Sequence, residues 1–188
     1  PIMPLLMMDG WTFEDGIYVG KDSWPEDVEM HLNKGVSLFQ QHTGVVPSGM
    51  WPSEQAVSPA MVQPVSNVGI DWMVSDEMIL EQSKDVNGLN PNVEDPRVLF
   101  TPWKATGDEG GEVSVIFRDR VISDRIAFEY GSMEPVDAVD DFLGYMDNVR
   151  QELLDLGENP SEHLITVALD GENWMFMSEF QQNDNARP

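Results

Sequence analysis

Five short apolar segments, each followed by charged residues, constrain most strongly how this chain can fold. They span roughly residues 2–8, 48–53, 70–75, 113–118 and 163–169, and each is bounded by Gly, Pro or charge. Short continuous apolar runs are typical of strands covered on both faces, as in parallel sheets. Parallel strands joined by helical crossovers bring their carboxyl ends to one edge, where active sites of such folds lie. The sequence therefore predicts an α/β fold whose site residues follow the strands.

Three helices are expected between these strands. They cover residues 24–42, residues from Ser58-Pro59 towards Asn67, and residues 135–156, and glycines at 44, 69 and 157 follow them. Pro64 lies inside the second helix and should kink or shorten it. Apolar residues at helical spacing are expected to face the core: Val28, Leu32, Val36 and Phe39 in the first helix, and Val136, Val139, Phe142, Leu143, Met146, Val149 and Leu153 in the third.

Two further segments are expected to be irregular. Residues 84–112 contain Asn-Gly, Asn-Pro, Asp-Pro and Gly-Gly pairs, which are turn signals, and predict a long loop at the edge of the sheet. This loop is either a lid that faces the substrate or a plain surface excursion. The polar tail, residues 181–188, is expected to be frayed.

The composition excludes several kinds of partner. The chain has 188 residues, 34 of them acidic and 10 basic, for a net charge of −24. Without a basic surface, neither nucleic acid nor an anionic membrane is an expected partner. The acidity fits either a saline medium or simply a soluble acidic enzyme. There is no cysteine, so disulfides and thiolate chemistry are excluded, and localisation stays open between cytoplasmic and secreted.

Two carboxylates, far apart in sequence, each follow an apolar segment and lie near a tryptophan. Glu54 follows Trp51-Pro-Ser, and Asp170 begins Asp-Gly-Glu-Asn-Trp174. Hydrolysis of a glycosidic bond needs such a pair of carboxyl groups, and an indole ring can stack on a sugar. The structural alternatives are a core tryptophan with Glu54 capping the next helix, and an ordinary acidic turn at Asp170.

Other polar groups follow the third and fourth strands. Asp76 and Glu77 could orient the pair, bind sugar hydroxyls or cap a helix. Arg118 and Asp119, with Arg120 and Asp124, could contact hydroxyls or form a structural ion-pair network, and the network is favoured for Asp124 and Arg125. The three histidines form no metal-binding spacing, so neither a metal nor a cofactor is expected.

Four motifs in order resemble glycoside hydrolase family 57, in its branch of amylopullulanases and α-amylase-like enzymes. They are Gly49-Met-Trp-Pro-Ser-Glu-Gln-Ala-Val-Ser-Pro59, Gly69-Ile-Asp-Trp-Met-Val-Ser-Asp-Glu77, Phe117-Arg-Asp-Arg-Val-Ile-Ser-Asp124 and Val167-Ala-Leu-Asp-Gly-Glu-Asn173. The resemblance implies a (β/α)7 barrel of TIM-like type and a retaining enzyme acting on α-1,4- or α-1,6-glucans. By motif, Glu54 would be the nucleophile and Asp170 the general acid/base.

About five strands cannot close a seven-stranded barrel, so residues 1–188 are expected to be the central part of a larger catalytic barrel. Substrate contacts are expected from Trp51, Asp76, Glu77, Arg118, Asp119 and Trp174. The alternatives are a 4-α-glucanotransferase or branching enzyme of the same family, or a non-catalytic glucan-binding fragment. A polysaccharide deacetylase is a weaker third possibility, and the oligomeric state is not indicated.

We predict that the isolated chain is inactive on maltodextrin and depends on salt for its stability. One wall of the sugar cleft would be missing, and small misplacements of catalytic groups cost orders of magnitude in rate. Added NaCl should raise the midpoint of thermal unfolding, because it screens the repulsion within a net charge of −24. An unfolding midpoint independent of salt, or maltodextrin hydrolysis at rates usual for enzymes, would contradict this expectation.

Overall fold

A computed structural model describes residues 11–14, 17–20 and 25–171 of this chain. The expected strand at residues 2–8 and the expected frayed tail, residues 181–188, lie outside the described residues. The chain divides into two compact units. The first comprises residues 1–75 and 102–116, and the second comprises residues 76–101 and 117–188.

The first unit is built on a four-stranded sheet. Its elements are the antiparallel hairpin β1 (Trp11–Glu14) and β2 (Ile17–Gly20), α1 (Pro25–Thr43), β3 (Gly49–Met50), a 3-10 turn (Ser53–Gln55), α2 (Pro59–Asn67), β4 (Trp72–Asp76), β5 (Trp103–Thr106) and β6 (Glu112–Arg118). The strand order is β3-β4-β6-β5, with β3 parallel to β4 and β5 antiparallel to β6. The last residues of β4 and β6 belong to the second unit.

The second unit is mainly helical. It contains α3 (Glu77–Gln82), α4 (Pro96–Leu99), α5 (Arg120–Asp124), a π-helical turn (Arg125–Glu129), a 3-10 turn (Tyr130–Ser132), α6 (Pro135–Asp155) and a 3-10 turn (Pro160–Glu162). Its core is centred on Ile122, Tyr130 and Ala138, against which partly buried apolar side chains of α6 pack. None of the helices described is long and apolar enough to cross a membrane.

The burial pattern explains why the strands of the first unit form where they do. Met73, Val74 and Ser75 of β4 are all buried, as expected for a central strand covered on both faces. In β6, burial alternates instead, with Val113 and Val115 inward. The α/β fold class is thus confirmed, with a mostly parallel four-stranded sheet, and the seven-stranded barrel remains a prediction.

Two of the expected strands are shorter than predicted. The segment 48–53 is a strand only at Gly49–Met50, because Pro52 has no N–H for a ladder and the backbone then turns at Ser53–Gln55. The segment 163–169 contributes a single parallel bridge between Thr166 and Arg118. There, both backbone groups of Ala168 are bonded to side chains, which interrupts a sheet ladder.

The expected loop at residues 84–112 is only partly irregular. It contains α4 and the whole of β5, which pairs with β6 across the turn at residues 107–111. The prediction of one long loop was therefore wrong. Its turn signals, among them Gly110-Gly111, mark the ends of short elements, and Trp103–Thr106 alternates between half-buried and exposed residues as an edge strand does.

The three expected helices are confirmed, with bounds within one or two residues of those predicted. Helix α2 continues past Pro64 to Asn67. The expectation that every apolar residue of the stripes faces the core was wrong. Val149 and Leu153 of α6 are buried, whereas several others are largely exposed: Phe39 of α1 and Val136, Val139 and Leu143 of α6. The apolar stripe of each helix is therefore wider than the part of the helix that the described residues bury.

We predict that Gly49→Ala destabilises the protein by about 1–3 kcal/mol, the usual cost of overpacking. A Cβ at this position would lie 2.1 Å from the Trp72 ring. The matched control is Gly35→Ala in α1, where a Cβ meets nothing within 4 Å and alanine is the better helix former. Chemical denaturation of both variants measures the difference. Equal unfolding midpoints for the two would contradict the close approach of Gly49 to Trp72.

Candidate active site

Glu54 lies on a tight turn of the first unit that has an unusual backbone. Glu54 and Gln55 have φ values of 56° and 55°, in the left-handed region that non-glycine residues seldom adopt. Each such residue costs on the order of 1–3 kcal/mol and persists only where its surroundings hold it. The Gln55 amide donates to the Pro52 carbonyl at 2.8 Å, and the Ala56 amide donates to the Ser53 carbonyl at 3.2 Å.

A buried hydroxyl ties this turn to the central strand. Ser75 of β4 is 0% exposed, and its Oγ donates to the Gln55 carbonyl at 2.9 Å. The backbone of the turn is thereby fixed while the side chain of Glu54 remains exposed. The capping alternative for Glu54 is not what the structure shows, because Ser58 occupies the N-cap position of α2 and no acidic residue lies in its first turn. Trp51 is 36% exposed, so part of its ring is open to a ligand.

In the second unit, the polar residues after β4 and β6 form an ion-pair network around Arg118. The Arg118 side chain is 13% exposed, with Nε 2.7 Å from Asp76 Oδ2 and Nη2 3.0 Å from Asp124 Oδ1. Its Nη1 donates to the carbonyl of Ala168 at 3.2 Å. The sequence indicates a structural ion-pair network as one of two possibilities for Arg118 and Asp124, and the structure contains that network. Asp76 also caps α3, since Oδ1 accepts the Met78 amide.

Asp119 is a buried carboxylate in the same region. It is 1% exposed, accepts the Ile122 amide as the N-cap of α5, and accepts a short hydrogen bond from the Tyr145 hydroxyl. Burial, together with this bond to Asp119, raises the pKa of Tyr145 far above its usual range. The hydrogen bond between Tyr145 and Asp119 thus links α6 to the N-terminus of α5.

The surroundings of Glu77 raise the pKa of its carboxyl group. Burial raises the pKa of Glu77, and the nearby charges of Asp119 and Asp76 act in the same direction. The Arg120 amide, which donates to Glu77 Oε2 at 3.0 Å, opposes this shift. Burial is therefore the largest influence on the pKa of this carboxyl group.

A further pair of residues braces α6 against the π-helical turn. Arg125 Nη1 lies 2.9 Å from Asp141 Oδ2, which also accepts the Tyr130 hydroxyl at 2.7 Å. Burial, with the bond to Asp141, raises the pKa of Tyr130 to about 12. The network role that the sequence favoured for Arg125 is present here.

Asp170 is exposed and lies at the end of the segment that Arg118 contacts. The Asp119 amide donates to the Thr166 carbonyl at 2.9 Å, and the Ala168 amide donates to Ser123 Oγ at 3.1 Å. Sequence reasoning missed Ser75, Ser123 and Tyr145. The only available signal was a serine inside an otherwise apolar segment, which does not reveal its partner.

The second unit therefore joins Asp76 and Arg118 in one ion-pair network, next to the segment that carries Asp170. Glu77 and Asp119 are held by other partners in the same unit. Glu54 and Trp51 lie together on the first unit, and Trp174 lies outside the described residues. Within residues 11–14, 17–20 and 25–171, no group of three or more histidine or acidic side chains is placed to hold a metal ion.

Comparison with known proteins places the chain among the glycosyl hydrolases. The sequence profile of glycosyl hydrolase family 57 matches residues 1–186, and the chain accordingly belongs to that family. The family resemblance drawn from the motifs is confirmed. Among solved structures, the chain is similar to a 4-alpha-glucanotransferase from Thermococcus litoralis, with 22% identity and a TM-score of 0.43. The similarity covers 54% of this chain and 15% of that one, and a search of curated proteins returned no match.

We predict that Glu77→Gln stabilises the protein at neutral pH and that the gain disappears in acid. Because the folded-state pKa lies above the ordinary value of 4.5, the native form loses stability as pH rises through that raised pKa and Glu77 ionises. The isosteric amide can still accept the Arg120 amide. Denaturation midpoints from acid to neutral pH, with Glu81→Gln on the exposed side of α3 as control, measure the effect. A gain of the same size below pH 4.5 would contradict the burial of an ionised Glu77.

Proposed function

We propose that the protein of which this sequence forms part is a retaining glycoside hydrolase acting on α-1,4- or α-1,6-glucans, of amylopullulanase or α-amylase type. The observation that carries the proposal is the family 57 match over residues 1–186, which includes both carboxylates that follow apolar segments. The chain spans 15% of the solved structure it matches, so the activity is proposed for the whole protein.

Glu54 would act as the nucleophile and Asp170 as the general acid/base. The ionised carboxylate of Glu54 attacks the anomeric carbon while the carboxyl of Asp170 gives its proton to the leaving glycosidic oxygen. This forms an ester between Glu54 and the sugar and leaves Asp170 ionised. In the second step, Asp170 takes a proton from water, whose oxygen attacks the anomeric carbon and releases Glu54. Both carboxylates end in their starting states.

Two observations support these roles. The Glu54 side chain is exposed on a turn whose backbone is strained and held by Ser75, and strained backbone of this kind concentrates at functional sites. Asp170 is exposed at the end of a segment fixed by hydrogen bonds with Arg118, Asp119 and Ser123. Each carboxylate is thus free to reach a ligand while its backbone support is well defined.

For the substrate contacts, we propose stacking of a sugar on Trp51 and hydroxyl contacts from the Asp76 and Glu77 carboxylates. Trp51 is partly exposed and Glu77 is half-buried. Arg118 and Asp119, which the sequence offered as substrate contacts, are instead occupied by protein partners and are better explained as support for the site. A substrate contact from Trp174 is proposed from the sequence alone.

We expect Glu54→Gln to lower turnover of the full-length protein by more than about 10⁴-fold on every substrate, because no ester can form. Asp170→Asn should lower turnover of maltodextrin by about 10²–10⁴-fold, the usual contribution of general acid catalysis. It should spare aryl maltosides with good leaving groups, which need little protonation. Glu94→Gln, at an exposed position of the second unit, is the control.

Initial rates on maltodextrin and on aryl maltosides decide between a catalytic enzyme and a glucan-binding protein without catalysis. Full activity of Glu54→Gln would remove the nucleophile and favour a glucan-binding role without catalysis. Product analysis on starch, pullulan and maltotriose distinguishes hydrolysis from transfer. Longer oligosaccharides formed from maltotriose would identify a 4-α-glucanotransferase or branching enzyme with the same two carboxylates.

A further inference from the structure

The segment that carries Asp170 is held in an unusual way. Residue Thr166 makes one parallel bridge with Arg118, and the Asp119 amide donates to the Thr166 carbonyl at 2.9 Å. Beyond that point the backbone is held by side chains. The Ala168 carbonyl accepts Arg118 Nη1 at 3.2 Å, and the Ala168 amide donates to Ser123 Oγ at 3.1 Å. Both polar groups of the Ala168 backbone are therefore satisfied by side chains of one neighbouring segment.

The two side chains are themselves firmly placed. Ser123 is 0% exposed, and its hydroxyl donates to the Asp119 carbonyl at 2.6 Å while it accepts the Ala168 amide. Arg118 has two further donors directed at Asp76 and Asp124, at 2.7 and 3.0 Å, so its planar group cannot rotate without breaking several charge-assisted bonds. We call Arg118 and Ser123, which bond the carbonyl and the amide of Ala168, the Ala168 clamp.

Asp170 lies two residues after the clamp, a distance of at most about 7 Å along an extended chain. A displacement of Ala168 is therefore passed to Asp170 through two peptide units. Misplacement of a catalytic group by about 1 Å can cost on the order of 100-fold in rate. Arg118 is thus better suited to placing Asp170 than to contacting a sugar, because its donors are already directed at protein acceptors.

We propose that the Ala168 clamp positions the Asp170 carboxyl for proton transfer, so that Arg118 and Ser123 are positioning residues of the reaction. This inference rests on the proposed function, in which Asp170 is the general acid/base. It predicts a specific defect. A loosened clamp should impair protonation of the leaving group and spare the attack of Glu54.

The test uses the full-length protein with Arg118→Met and Ser123→Ala. On maltodextrin, kcat/KM should fall about 100-fold for Arg118→Met and about 10-fold for Ser123→Ala. On a dinitrophenyl maltoside, whose leaving group needs little protonation, each variant should lose less than about 3-fold. The control is Arg97→Met, which removes the surface ion pair with Asp95. It should leave kcat/KM unchanged on both substrates. Unfolding midpoints show which variants are folded at the assay temperature. If Arg118→Met is unfolded there, the test is made with Ser123→Ala alone.

A second measurement separates positioning from general damage. In the Asp170→Asn background, adding Ser123→Ala should cost less than about 2-fold, because the group that the clamp positions is already disabled. Equal losses on both substrates, full additivity with Asp170→Asn, or wild-type activity of both variants would overturn the inference. Failure of the proposed function looks different. In that case the wild type has no activity on any glucan, or Asp170→Asn shows no dependence on the leaving group.

Discussion

The second unit depends on one largely buried positive charge. Taking the Arg118 guanidinium out of water costs several kcal/mol, and only close opposite charges and well-directed acceptors offset such a cost. Asp76 and Asp124 supply the charges, and the Ala168 carbonyl supplies a further acceptor. Because these partners come from three segments far apart in sequence, the ion pairs also fix where those segments end. Removing Arg118 would take the ion-pair partner from Asp76 and leave Asp124 with its pair to Arg120.

The helices were predictable because their signals are local. Helix α6 begins at Pro135 and ends at Asp155, and Gly157 follows with a φ of 82° that suits glycine. The proline at the start and the glycine after the end are both visible in the sequence. The segment 163–169 misled for the opposite reason. Its apolar character predicted a strand, of which only the bridge to Arg118 forms. The partners of Ala168 are side chains 45 and 50 residues away, which hydrophobic periodicity does not encode. Strand β5 was missed because half of its residues face outward.

At the candidate site, too, the local sequence predicts which residues lie at the strand ends but not which distant residues they contact. Motif resemblance singled out Glu54 and Asp170 as the proposed reacting groups, and the apolar segments located the charged residues at the ends of β4 and β6. Whether a charged residue there meets a ligand or another residue depends on tertiary partners. Asp119 illustrates this, since its carboxylate is almost completely buried against Tyr145 of α6. A sequence can place such a residue at the edge of a sheet, but its burial follows from a helix that the chain reaches later.

The left-handed backbone at Glu54 restricts which residues evolution or a protein engineer can place there. Glycine and asparagine adopt this conformation at little cost, whereas a longer side chain is disfavoured. Glycine and asparagine both lack a carboxylate. The backbone and the proposed chemistry at position 54 therefore favour different residues, the usual origin of a trade-off between stability and activity. Selection for thermal tolerance alone would drive this position away from glutamate and give a more stable protein without the proposed nucleophile.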